Sequence, residues 1–245
     1  MELKDIAVLV PGRLNAHALE RIRAEFDCIE IASGDPSLVT PEIAGKVRGI
    51  AAMTVISADL MQALPKLEIV ANFGVGYDAV DAGHAGANGI MVTNTPDVLN
   101  EEVADLALAL MLAIARQIPQ ADAFTRKGLW AQGNYPLLTR MHAGHWTGKG
   151  NYRLTPLTMR GRTVGIYGMG RIGQAIARRL EPFGVGIHYH NRSRADGLAY
   201  TFHPTLVELA RAVDTLIIVV PGGEATRKAV NGNVLAALGP QGVLI

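Results

Sequence analysis

Gly168-Met169-Gly170-Arg171-Ile172-Gly173 constrains this chain more than any other segment. Residues 163–167 before it read as a strand, and residues 171–183 after it read as a helix. That context turns a common glycine spacing into a specific one. Gly168 suits a tight turn, Gly170 a close approach of backbone to ligand, and Gly173 close packing of helix on strand. Free N–H groups and the positive end of the helix dipole then hold anionic phosphates. The segment predicts a Rossmann dinucleotide-binding unit.

The next strand, residues 185–190, bears on which dinucleotide is bound. An NAD site usually carries Asp or Glu about 20 residues past the first glycine, for the ribose 2′-hydroxyl. Here the window His188-Tyr189-His190-Asn191-Arg192-Ser193-Arg194 contains no acid. Asn191, Arg192 and Ser193 offer donors, and Arg192 and Arg194 carry positive charge. A carboxylate would repel a 2′-phosphate, whereas guanidinium forks match phosphate geometry. The expectation is NADP(H) in preference to NAD(H).

The flanking sequence alternates short β-rich runs with helical patterns. In the first hundred residues, strands are expected at 6–10, 28–31, 49–54, 67–72 and 90–93, with helices at 15–26, 41–47, 58–64 and 80–87. This is the signature of a parallel sheet covered by helices on both faces. Thr95-Pro96-Asp97 breaks the pattern, and Asn100 reads as the cap of a long helix running to about Ile118. Past the glycine segment the alternation resumes, with a helix at 204–212, a strand at 215–220, a helix at 232–238 and a strand at 243–245. The fold class is therefore α/β, with two domains built on parallel sheets, 1–98 and 99–245. An arm at 118–162 is poor in regular pattern. It holds a near-repeat, in which Gly128-Leu129-Trp130 and Gly133-Asn134-Tyr135 are echoed by Gly144-His145-Trp146 and Gly150-Asn151-Tyr152.

Composition removes other classes. Hydrophobic residues are 49% and charged residues 18%, which excludes a disordered chain. Basic residues number 23 against 22 acidic, so no basic surplus marks a nucleic-acid binder. The longest apolar run, 106–115, is too short for a bilayer, which needs about 20 residues. It reads as a helix buried between protein surfaces. The single Cys28 can form neither an internal disulfide nor a Cys-rich metal site, and a reducing, cytoplasmic setting is expected. No signal peptide is expected at the N-terminus. His142 and His145 lack a third ligand nearby, so no metal site is expected.

Taken together, the motifs resemble those of the D-isomer-specific 2-hydroxyacid dehydrogenases, particularly the NADPH-dependent glyoxylate/hydroxypyruvate reductase branch. Asn72-Phe73-Gly74-Val75-Gly76-Tyr77-Asp78 is similar to that family's substrate loop. Asn94-Thr95-Pro96-Asp97-Val98-Leu99 is similar to its first crossing between domains. GMGRIG, then Val220-Pro221-Gly222-Gly223 with Thr226, then residues 238–245, follow in family order. The resemblance implies a flavodoxin-like substrate domain and hydride transfer to C2 of a small 2-keto acid, giving a D-2-hydroxy acid. It implies that backbone N–H groups of Val75 and Gly76 hold the substrate carboxylate. A Gly-X-Gly loop at a strand's C-terminal edge exposes amides without obstruction. It further implies that Thr95, Pro96 and residues 98–100, Asn100 included, line the nicotinamide side, that Val220 and Pro221 wall the adenosine side with Thr226 nearby, and that the enzyme is a homodimer.

The resemblance also implies an Arg, a Glu and a His for catalysis, with the Glu keeping the imidazole charged. None is matched here, because all three would follow Ile245. The expectation is a C-terminally truncated chain with an incomplete Rossmann domain and no catalytic residue of its own. Taken literally, the same residues read instead as a non-catalytic dinucleotide-binding module. A third reading keeps the fold but changes the chemistry to NAD-linked formate or phosphite oxidation.

Overall fold

The structure, a computed structural model, describes residues 2–129, 131, 159 and 161–245, with the backbone of 141–142 and 145–146. Most of the near-repeat, and the side chains of His142 and His145, lie outside the described residues. The chain divides into two units, one of residues 1–98 with 221–223 and one of residues 99–220 with 224–245.

In the first unit the strands are β1 (Ala7–Pro11), β2 (Asp27–Ile31), β3 (Val47–Ala52), β4 (Ile69–Asn72) and β5 (Met91–Thr93). All pair in parallel, in the order β2-β1-β3-β4-β5, which is the flavodoxin-like order. The helices are α1 (Ala16–Glu25), α2 (Pro41–Lys46), α3 (Ala58–Gln62) and α4 (Ala82–Ala87). Each begins where a short polar side chain accepts an otherwise unpaired amide of the first turn. Asn15 accepts from Ala18, Thr40 from Ile43, Ser57 from Leu60 and Asp81 from His84, at 2.9–3.3 Å. Leu9, Val47, Ile50, Ile56, Leu60 and Val70 form the fully buried core. Central strands buried in this way read as near-continuous apolar runs.

The second unit opens with α5 (Asn100–Arg116) and α6 (Ile118–Arg126), followed by the short antiparallel pair β6 (Met141–His142) and β7 (His145–Trp146). Its sheet is formed by β8 (Thr163–Tyr167), β9 (Gly186–His190), β10 (Thr201–Phe202), β11 (Thr215–Ile218) and β12 (Val243–Leu244). These too are parallel, in the Rossmann order β10-β9-β8-β11-β12. Helices α7 (Arg171–Leu180), α8 (Leu206–Ala212) and α9 (Gly232–Leu238) complete it. Val164, Ile166, Ile217 and Tyr189 meet Ala104, Met111, Ala175 and Ile176 of α5 and α7 in one core cluster. Leu209, Val213, Leu216 and Val234 form another with α8 and α9. At Gly165 a Cβ would lie 2.9 Å from Val213 Cγ2 and 3.0 Å from Leu209 Cδ1, so only glycine admits α8 this close.

Two expectations need correction. Asn100 is the first residue of α5 rather than its cap; Leu99 holds the cap position and offers no side-chain hydrogen bond. The long helix ends at Arg116, because Gln117 takes a left-handed conformation (φ 49°, ψ 45°) and α6 starts afresh. Pro119 fits the first turn of α6, where no amide donor is needed. Described residues enclose the apolar run of α5 on one side. Ala104, Ala107, Met111 and Ala115 are buried, while Leu106, Leu110 and Ile114 are 57%, 45% and 42% exposed. No helix among the described residues is long and apolar enough to cross a membrane.

Candidate functional site

The glycine segment lies between β8 and α7, at the C-terminal edge of the second sheet. Its three glycines differ physically. Gly168 has φ +106°, and a Cβ there would meet the Val219 carbonyl oxygen at 2.6 Å and Val220 Cγ1 at 3.0 Å. A Cβ at Gly173 would fall 2.1 Å from the Gly168 carbonyl oxygen. A Cβ at Gly170 would meet nothing within 4 Å. Two glycines thus serve the protein's own packing, and the third faces open space where a ligand can approach. This is the division of labour that a pyrophosphate-binding turn requires.

Neighbouring strand ends brace the turn. Gly168 N–H donates to the His190 carbonyl at 3.0 Å, and Gln174 Nε2 to the Met169 carbonyl at 3.3 Å. Met169 itself is buried in the core beneath. Asn191, just past β9, accepts the Met169 N–H on Oδ1 at 2.7 Å. With its oxygen so engaged, its Nδ2 is left as a donor group. Arg192, Ser193 and Arg194 follow, all exposed. Neither arginine joins an ion pair among the described residues. Val220 lies against Gly168, Pro221 groups with the first unit, and Thr226 is half-buried in the turn before α9. Arg171 and Ile172 form the first turn of α7. The second unit therefore brings Gly168, Met169, Asn191 and Val220 together, and these residues fit a bound dinucleotide.

Three histidines lie behind this edge. His188 Nδ1 and His203 Nε2 are 2.9 Å apart, and the rings stack with centroids 5.1 Å apart. Partial burial, then the facing His203, push the His188 pKa down. His190 Nδ1 donates to the His203 carbonyl at 2.9 Å, and its ring stacks on Tyr167. These contacts join β10 to β9, a role that sequence spacing did not reveal.

In the first unit, Val75 and Gly76 follow β4 in a loop where the carbonyls of Gly74, Val75 and Gly76 are each held. Asn72 Nδ2 donates to the carbonyls of Gly74 (3.3 Å) and Gly76 (2.8 Å). Asn94 Nδ2 donates to that of Val75 at 2.8 Å, and Thr95 N–H to that of Gly74 at 2.9 Å. Among the described residues, the N–H groups of Val75 and Gly76 find no acceptor. Two adjacent unpaired amides of this kind can receive an anion.

Residues 108–245 match the family described as D-isomer specific 2-hydroxyacid dehydrogenase, NAD binding domain. Over 246 residues the chain is 37% identical to a glyoxylate/hydroxypyruvate reductase A of Arabidopsis thaliana, with 99% of this chain and 73% of that protein covered. A glyoxylate reductase of Thermococcus onnurineus is 34% identical, with 97% of this chain and 70% of that protein covered. Among solved structures, an NADPH-dependent glyoxylate/hydroxypyruvate reductase of Sinorhizobium meliloti, in complex with NADP and malonate, superposes with a TM-score of 0.84 at 52% identity. That match covers 98% of this chain and 70% of the other. With both sheet orders, the glycine turn and these matches in agreement, the chain belongs to the D-isomer-specific 2-hydroxyacid dehydrogenase family.

Proposed function

We propose that this chain grips NADPH and a small 2-keto acid, of the glyoxylate or hydroxypyruvate type, for reduction to a D-2-hydroxy acid. The bound cofactor would supply the hydride. The amides of the first turn of α7, at Arg171 and Ile172, would hold the pyrophosphate, with Gly168, Gly170 and Gly173 shaping the approach. Asn191 Nδ2, Arg192, Ser193 and Arg194 would hold the 2′-phosphate. Val220 and Pro221 would flank the adenosine with Thr226 beside them, and Asn100 would lie on the nicotinamide side. Val75 and Gly76 would hold the substrate carboxylate.

The observation that carries the cofactor choice is the end of β9. Where an acid would accept from a ribose hydroxyl, Asn191 has its oxygen taken by Met169 N–H, and two exposed arginines follow that join no ion pair among the described residues. NADPH is expected to bind at least about tenfold more tightly than NADH, since one charge-assisted hydrogen bond contributes about 1.5–3 kcal/mol. Titration calorimetry with both cofactors measures this, and tighter NADH binding overturns it.

Reduction also needs a proton donor for the new alkoxide, and none of the residues placed above is one. The chain as written is then expected to bind NADPH without consuming it when glyoxylate is added. NADPH consumption on adding glyoxylate would refute that expectation. The single thiol, Cys28, fits a cytoplasmic setting.

The exposed residues Leu106, Leu110 and Ile114 recur every four residues along α5, as one face of a docking helix does. We assign this face to a second copy of the chain. Leu110→Arg is expected to convert a dimer into a monomer in sedimentation equilibrium. A dimer of unchanged affinity in that variant would exclude this face.

A further inference from the structure

We propose that Asn72 and Asn94 are positioning residues for the substrate carboxylate: they hold the loop carbonyls and so aim the amides of Val75 and Gly76. This rests on the reading that those two amides receive the carboxylate.

In a trans peptide the C=O of one residue and the N–H of the next point in opposite directions. No cis peptide occurs among the described residues. Gly74 O receives Thr95 N–H and Asn72 Nδ2, so Val75 N–H faces away from both. Val75 O receives Asn94 Nδ2, so Gly76 N–H faces away from Asn94. Asn72 also clasps Gly76 O at 2.8 Å and closes the far end of the loop.

The residue type fits the task. Asn72 is 6% exposed at the end of a central strand, where an unpaired polar group would be costly. A side-chain amide has two donor hydrogens, so a single Asn72 can hold two carbonyls. It is also uncharged. An aspartate of the same shape would set a carboxylate against two carbonyl oxygens and repel an incoming anion.

The test uses isotope-labelled chain saturated with NADP+ and titrated with glyoxylate, with the Val75 and Gly76 amide signals followed by NMR. In the unaltered chain both signals should shift as glyoxylate binds. Asn72→Ala and Asn94→Ala should each weaken glyoxylate by about tenfold, the usual scale for a lost hydrogen bond that orients a binding group. NADP+ affinity should not change. If the variants melt at lower temperature yet, while folded, bind glyoxylate with native affinity and native shifts, the asparagines are merely structural and the proposal is wrong. Should buried Asn72→Ala fail to fold, the half-buried Asn94→Ala decides. Absence of any shift in the unaltered chain would overturn the carboxylate reading itself, and the positioning role with it.

Discussion

Gly170→Ala is expected to leave the second unit folded and to abolish measurable NADPH binding. Gly170 has φ −80° and ψ −157°, which any L-residue adopts, and a Cβ there meets nothing within 4 Å. Folded-state strain is therefore absent, and the stiffer alanine can even stabilise by about 0.4–1 kcal/mol. In the proposed site the added methyl would instead occupy the path by which a pyrophosphate reaches the α7 amides. Loss of two charge-assisted hydrogen bonds, each worth about 1.5–3 kcal/mol, corresponds to more than about a hundredfold in affinity. Gly173→Ala, three residues away, should do the reverse. Its Cβ would stand 2.1 Å from Gly168 O and 3.0 Å from Gly168 C, both backbone atoms that cannot swing aside. A destabilisation above about 4 kcal/mol is expected there, in the class of severe core disruptions. Thermal melting and NADPH titration of the two variants separate the effects. A low-melting Gly170→Ala, or one that binds normally, would contradict this division of roles.

The second large effect is expected at the end of β9. Asn191→Asp with Arg192→Ser should reverse the cofactor preference. The aspartate can keep one oxygen on Met169 N–H, as Asn191 does at 2.7 Å, and turn the other outward as an acceptor. A ribose 2′-hydroxyl gains that acceptor, whereas a 2′-phosphate meets a negative charge and loses a guanidinium. The combined change in the NADPH-to-NADH affinity ratio should exceed about a hundredfold, from two charged interactions of about 1.5–3 kcal/mol each. Melting temperature should hardly change, because the tether to Met169 is retained. An unaltered ratio would show that the 2′-position is read elsewhere.

Much of this was legible from the residues alone, for reasons that particular elements make clear. The strand at 163–167, the glycines after it and the helix from Arg171 carry local signals of period, turn and packing, and these appear where expected. So do the parallel strands of both sheets other than β10, within a few residues at each end. Asn100 misled because asparagine is a good cap residue, but the preceding Leu99 already holds the cap position. The two-residue strand β10 is too short to show a period. Asn191 was read as a ligand donor, and its oxygen proves to serve Met169, 22 residues earlier in the chain. The clasps by Asn72 and Asn94 could not be read from spacing either. Asn94 meets Val75 only because β5 lies beside β4 in the sheet. Asparagines at the ends of both strands were the one available signal.

Helix α5 sets an order of events in time. It follows the last strand of the first unit directly, yet its buried face belongs to the second, where Ala104, Ala107 and Met111 share a cluster with Ala175 and Ile176 of α7. Arg179 of α7 also pairs with Asp105 and Glu101 of α5. On a ribosome adding roughly 5–20 residues per second, several seconds separate the completion of α5 from the appearance of α7. During that interval both apolar sides of the helix face water, the Ala104–Met111 side as well as the Leu106–Ile114 side. The first unit can close its sheet meanwhile, so nascent chains halted between Arg116 and Arg171 should be the ones most heavily engaged by chaperones.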